Sequence, residues 1–204
     1  MSSSGRKQPG GDSPYESVPG RRVTNVLDGD ARAILRLMRC EVGRAIGQPD
    51  GSDLGADSRS GVVQFMPAFK RYDGNLYRQI PSAVWQGLTD SGFDVVVVSA
   101  LNGLLFWDEP IGDYNAAMNN KPWPGVRLCT WWRKRGLPLI LSELISGMGY
   151  VEVCDFLSGN YRAAVDGYQD GLRNIRFHCP NYGGWGSGAD YHRGSDISRL
   201  LQKI

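Results

Sequence analysis

The stretch Phe93-Asp94-Val95-Val96-Val97-Val98 constrains the fold more than any other part of this chain. Four consecutive β-branched residues are stiff at χ1, and an apolar run without polar alternation suits a strand covered on both faces of a parallel sheet. It runs into Ser99-Ala100-Leu101-Asn102-Gly103, a strand-ending loop. Tyr150 to Phe156 alternates enough for a second strand, and Leu172 to Cys179 reads as a third. Between them lie helical patterns. Ala31, Ile34, Leu35, Met38, Val42 and Ile46 mark one helix face, with Arg32, Arg36 and Arg39 as a stripe on another. Asp28 caps the start of that helix and Gly47, before Pro49, stops it. Trp131 to Ile145 is a second helix that Pro138 breaks or kinks. Ser158 caps a helix holding Tyr161, Ala164 and Val165, and Asp196 to Lys203 closes the chain as a short helix. This alternation predicts an α/β fold with a mixed central sheet flanked by helices.

At 204 residues the chain is long enough for one sizeable core. Residues 1–22, rich in Ser, Gly, Pro and Arg, read as a partly flexible N-terminal segment, and residues 23–204 as a single α/β domain. A formal net charge of +2 excludes a polybasic coat protein and an acidic tail, but not a local basic patch. No apolar run approaches the roughly 20 residues of a membrane span, so no membrane partner is expected. The N-terminus carries no apolar core of a secretory signal, and Cys40, Cys129, Cys154 and Cys179 form no Cys-x-x-Cys pair. Reduced thiols and a cytoplasmic location are the expectation. His178 and His192 have no metal-ligand spacing, so no metal is expected, and no motif names a cofactor. Gly183-Gly184-Trp185-Gly186-Ser187-Gly188 is not followed by Gly-Lys-Ser/Thr and reads as a lid or connector rather than a phosphate loop.

Four constellations suggest chemistry, each with a bland counterpart. In open α/β sheets ligands bind beyond the carboxyl ends of strands, where Ser99, Asn102, Asp155 and Ser158 would converge and Gly103 and Gly159 would allow close backbone approach. Ser158 is equally an N-cap and Ser99 a strand terminator. Arg71-Tyr72-Asp73-Gly74-Asn75-Leu76-Tyr77 combines guanidinium and aromatic groups suited to an anion or a base, or else is a turn with Tyr77 in the core. Asp108 to Tyr114 opens on two adjacent acids that offer a general base or a metal ligand, or else is a solvated loop. Arg127, Arg133, Lys134 and Arg135, interleaved with Trp131 and Trp132, have the composition of a phosphate contact, or of an amphipathic helix with core tryptophans.

In chain order, these segments resemble the YaaA family of peroxide stress proteins. Met66 to Tyr77 (MPAFKRYDGNLY) is similar to the family's PAxxRYTGxLY segment. Val98 to Leu105 followed by Glu109-Pro110-Ile111-Gly112-Asp113-Tyr114 resembles SALYGLLRPTDPIPDY. Trp132-Arg133 falls at a WR pair, and Asp155 to Tyr161 (DFLSGNY) at DLRSxxY. Ser4 to Gly11 (SGRKQPGG) resembles an actinobacterial form of PSEGKxxGG, and Arg193-Gly194 stands where the family has Lys-Gly. The pattern departs at Asn102, where the family has Tyr; at Phe106-Trp107, for Arg-Pro; at Glu109, for Asp; and at Ser187 to Asp190, for His-Phe-Asn-Lys.

The resemblance implies a YaaA-like fold and two readings of function. One is a cytoplasmic peroxide-stress protein that contacts DNA phosphates through Lys7, Arg71, Arg133 and Arg193. The other is a diverged enzyme of specialised metabolism acting on a nucleobase, nucleotide or similar small polar or phosphate-bearing ligand. There Glu109 or Asp155 serves as base and Tyr72 or Tyr77 stacks or donates a proton. The ligand is held by Lys7, Arg71, Gly74, Tyr77, Ser99, Asn102, Gly103, Tyr114, Ser158 and Arg193. Glycine, at 27 of 204 residues against a usual share of roughly 7%, falls in these family-like motifs at Gly10-Gly11, Gly74, Gly103, Gly159 and Gly194, with the 183–188 cluster outside them.

Overall fold

A computed structural model describes residues 1–11, 20–48 and 65–203. The chain is a mixture of helices and short strands. Among the described residues the strands form three two-stranded ladders. Residues 12–19 of the N-terminal segment and residues 49–64, just past the helix stop at Gly47, lie outside the described residues.

The valine run becomes β2 (Val96–Ser99), but its hydrogen-bonded strand partner is antiparallel. The chain turns back at once through Ala100–Asn102 into β3 (Gly103–Phe106), with Val96 opposite Phe106 and Ser99 opposite Gly103. Gly103 makes this reversal possible, because it adopts φ +68°, a left-handed conformation that costs other residues about 1–2 kcal/mol. A Cβ there would also lie 2.9 Å from the Trp132 ring and 3.1 Å from methyls of Leu35 and Leu137. Gly103→Ala is therefore expected to lose about 2–3 kcal/mol, read as a lower denaturation midpoint at unchanged slope.

On the other edge of β2 lies the N-terminal segment. Ser2 bridges Val98 in parallel fashion, and the Ser3 N–H donates to the Val98 carbonyl at 2.9 Å. The first residues, expected to be partly flexible, thus extend the hairpin. A short ladder joins β1 (Met66–Pro67) to β4 (Pro110–Ile111), antiparallel. The third joins β5 (Glu152–Cys154) and β6 (Arg176–His178) in parallel, with α7 (Gly159–Ala164) in the connection.

The helices follow their sequence signals closely at one end and less so at the other. Beyond the single turn α1 (Val23–Val26), α2 spans Gly29–Ala45. The Asp28 carboxylate accepts from the Ala31 N–H at 2.8 Å, as an N-cap does. The short helices α3 (Ala68–Arg71) and α4 (Ser82–Gly87) carry the aromatic cluster of Phe69 and Trp85. The helical stretch around Pro138 divides into α5 (Leu128–Lys134) and α6 (Leu137–Gly147). The break falls at Gly136, with φ +96°; Pro138 sits harmlessly in the first turn of α6, where no N–H bond is lost. The last helix, α8 (Ala189–Leu201), starts earlier than Asp196. Gly194 lets it press against the Leu76 carbonyl, which any side chain would overlap. The core gathers Leu35 and Val42 of α2, Leu104 and Phe106 of β3, Trp132 of α5 and Leu137 and Leu144 of α6.

Candidate functional site

The polar centre of the molecule forms where the N-terminal segment crosses the ends of β2 and α3. Lys7 bridges Tyr72 in antiparallel fashion, with the Asp73 N–H donating to the Arg6 carbonyl and the Gln8 N–H to the Arg71 carbonyl. The segment is pinned at Ser2, whose carbonyl accepts from the Tyr77 hydroxyl at 3.0 Å and whose Oγ accepts from the Ser158 N–H at 3.0 Å. Ser3 Oγ donates to Tyr161 Oη at 3.2 Å. Gly74 packs closely here: a Cβ would overlap the Ser4 hydroxyl, which would have to turn away.

Beneath this segment lies a buried hydroxyl cluster. Tyr72 Oη and Tyr114 Oη are 2.8 Å apart, Ser99 Oγ is 2.9 Å from Tyr114 Oη, and the Asn102 N–H donates to Ser99 Oγ at 3.1 Å. Burial raises the Tyr72, Tyr77 and Tyr114 phenols above their usual range, so they stay protonated and serve as hydrogen-bond donors. Ser99 Oγ is already engaged by three neighbours, which suits positioning rather than nucleophilic attack.

Above the cluster stands Lys7. Its Nζ lies 4.0 Å from the Tyr114 ring centroid, nearly sealed from solvent and without a hydrogen-bond partner among the described residues. Desolvation pushes its ammonium down to about 8, against the attraction of Asp113 and with the help of Arg71. Such a group gains from any anion that reaches it, and it exchanges its proton close to neutral pH. Arg71, fully buried, has a different task. It donates to the Gln8 carbonyl at 2.6 Å and reaches the Ile111 carbonyl, tying the N-terminal segment to β4.

The structure thus brings together Lys7, Arg71, Tyr72, Gly74, Tyr77, Ser99, Asn102, Tyr114 and Ser158. It sets other expected residues apart. Glu109 is fully buried beside Arg39: Oε1 accepts from Arg39 at 3.0 Å and Oε2 from the Val23 N–H at 2.8 Å. Asp155 accepts from the Leu157 N–H, ion-pairs with Arg162 at 3.1 Å and accepts from Tyr168. Both carboxylates thus hold parts of the fold together, away from the Lys7 cluster. Gly103 serves the β2–β3 reversal. Arg193 pairs with Asp190 at 2.8 Å over the Tyr182 ring, and Arg133 pairs with Asp166 at 3.0 Å. Ser158 precedes α7 without capping it by its side chain; its Oγ faces Ser2 Oγ at 3.1 Å. Gly183 to Gly188 forms a tight turn with Trp185 against His192.

Sequence reasoning missed Ser2, Ser3, Tyr161 and Asp113. The first two lay in a segment read as a tail, and the others flank Ser158 and Tyr114, residues that were singled out. Among the described residues no three His, Cys, Asp or Glu side chains group to hold a metal ion. No helix among them is long and apolar enough to cross a membrane. No family model matches the chain, and no curated protein matches it either.

Proposed function

We propose that this chain is a cytoplasmic YaaA-like protein whose site takes a small anionic polar molecule, a nucleotide or similar phosphate-bearing metabolite, between Lys7 and the Tyr72–Ser99–Tyr114 cluster. One observation carries the reading: the Lys7 ammonium is nearly sealed from solvent and without a hydrogen-bond partner among the described residues. Leaving a charge so placed without a hydrogen-bond acceptor is costly, and an anionic ligand offsets that cost. The protonated phenols supply neutral donors to the same ligand, while Lys7 takes the proton-transfer role that the diverged-enzyme reading gives to Glu109 or Asp155.

DNA contact in peroxide stress is the second reading. Duplex phosphates are met by surface charges, whereas Arg71 is fully buried and Arg133 and Arg193 already face Asp166 and Asp190. Thermal-shift and calorimetric titrations with inorganic phosphate, nucleoside monophosphates and duplex DNA separate the two. The expected result is saturable stabilisation by the phosphate-bearing small molecules, rising with the logarithm of ligand concentration. Binding of duplex alone, with affinity falling steeply as salt rises, would favour the second reading. Absence of any small-molecule binding at low salt would overturn the first.

A further inference from the structure

Three large apolar side chains are exposed on one side of the molecule: Ile34 and Leu37 of α2, by 47% and 58%, and Leu139 of α6, by 75%. They form one patch. Arg135, just ahead of α6, pairs with Glu41 near the end of α2 at 3.1 Å. Glu143, within α6, faces Asp28 and Asp30 at the start of α2; burial, and then the charges of these two acids, hold its carboxyl above the usual range. The two helices therefore run antiparallel and side by side. Leu139, one turn before Glu143 on the same face, falls midway along α2, beside Ile34 and Leu37.

The α2 part of this patch is a regular stripe. Asp30, Ile34, Leu37, Glu41 and Arg44 follow one another at alternating steps of four and three residues, the spacing that forms the seam between paired helices. Its two ends differ in charge. Asp30, with Asp28 and Glu143 beside it, makes the start acidic, whereas Arg44 and Arg135 make the end basic. Asp30 and Arg44 are both exposed, and each stands seven residues from Leu37, about 10.5 Å along the helix in either direction. A two-fold axis through Leu37 thus sets Asp30 of each copy against Arg44 of the other, while the two leucines meet at the centre. That is the self-complementarity an isologous contact requires.

We propose that this face of α2 and α6 is the contact surface for a second copy of the chain, the two α2 helices packing antiparallel across a two-fold axis at Leu37. A single exposed leucine is ordinary on a protein surface, but a contiguous apolar patch rimmed by polar residues marks a contact site. The patch is small beside the about 1,200–2,000 Å² of a standard interface, so the pair is a reversible one. Acid at the start and base at the end of α2 also suit the helix dipole, a role that needs no second copy.

Sedimentation equilibrium of the full chain from about 1 μM to 1 mM tests the proposal and separates these two roles. The expected result is a monomer–dimer equilibrium. Leu37→Glu should weaken it at least about tenfold, by placing two carboxylates at the axis, while the helix content stays that of the parent. Asp30→Arg and Arg44→Asp should each weaken self-association, since like charges then face one another at both ends. Mixed in equal amounts, these two variants should associate with each other as the parent does with itself, because every end then joins opposite charges. A chain that stays monomeric over the whole range would overturn the proposal, as would self-association that Leu37→Glu leaves unchanged. Charge variants that fail to associate on mixing would overturn the antiparallel pairing and leave Asp30 and Arg44 to the dipole of α2.

Discussion

Replacing Glu109 by alanine is expected to destabilise the fold by about 3–5 kcal/mol, because it strands a buried guanidinium. Arg39 and Glu109 are exposed by 1% and 0%, and their 3.0 Å contact is the centre of a larger knot. Arg39 also donates to the Asn102 carbonyl at 2.9 Å and the Leu104 carbonyl at 2.7 Å. Glu109 accepts from the Val23 and Phe106 N–H groups. One residue pair thus ties α1, α2, the β2–β3 turn and the approach to β4. Burial raises the Glu109 carboxyl above its usual range, opposed by the guanidinium and the two amides. The partner change, Arg39→Met, leaves a buried carboxylate and should cost a similar amount. In the double variant Arg39→Met/Glu109→Ala no unpaired charge remains, so its loss should fall short of the sum by about 0.5–3 kcal/mol. Equilibrium unfolding of the four proteins measures this directly. A Glu109→Ala protein as stable as the parent, but inactive, would return Glu109 to the role of a base.

How much of this was legible in the sequence depends on whether the signal was local. Asp28 announces α2 because capping is settled within four residues, and the Asp28–Ala31 bond is found in the structure. The valine run identifies a strand but not its partner. Its two edges are taken by a hairpin and by residues 1–3, and neither neighbour is written into the run itself. Arg39 belonged by type to the stripe with Arg32 and Arg36. By position it stands four residues after Leu35 and three before Val42, both fully buried, and that spacing puts it on the core face. The spacing could have been read; the guanidinium's partner, 70 positions away, could not. The site shows the same divide. Ser99 and Ser158 stand out at strand-end loops, Tyr72 and Tyr77 in the Arg71 segment and Tyr114 through the family resemblance, and the structure brings the five together. The pieces that close the site, Ser2 and Ser3, lie in a polar segment whose order comes only from the tertiary bonds it makes to Val98, Tyr77 and Tyr161.

The opposite balance of stability and binding is expected at Lys7. Its ammonium is needed for an anionic ligand, so Lys7→Met should weaken binding of a nucleoside monophosphate by about 10- to 100-fold, the worth of one charged hydrogen bond. The same change should make the free protein more stable at pH 7, by on the order of 1–2 kcal/mol once residual solvent screening is allowed for. The sign follows from linkage. Folding lowers the Lys7 pKa from an ordinary 10.5 to about 8, so below pH 8 both states carry the proton and the native state bears the cost of a buried charge. Between about pH 8 and 10.5 the unfolded chain holds more protons than the native one, and the stability of the parent rises with pH. The advantage of the methionine variant should therefore shrink over that interval, while the parent's affinity for the ligand falls as pH passes about 8. Lys7→Arg separates charge from titration, since a guanidinium keeps its proton throughout. It should retain part of the binding with a flat pH profile. Denaturant melts and ligand titrations at pH 7, 8 and 9.5 on the three proteins read all of this. Undiminished nucleotide binding by Lys7→Met, or a methionine variant less stable than the parent at pH 7, would show that Lys7 is held by the fold rather than kept for a ligand.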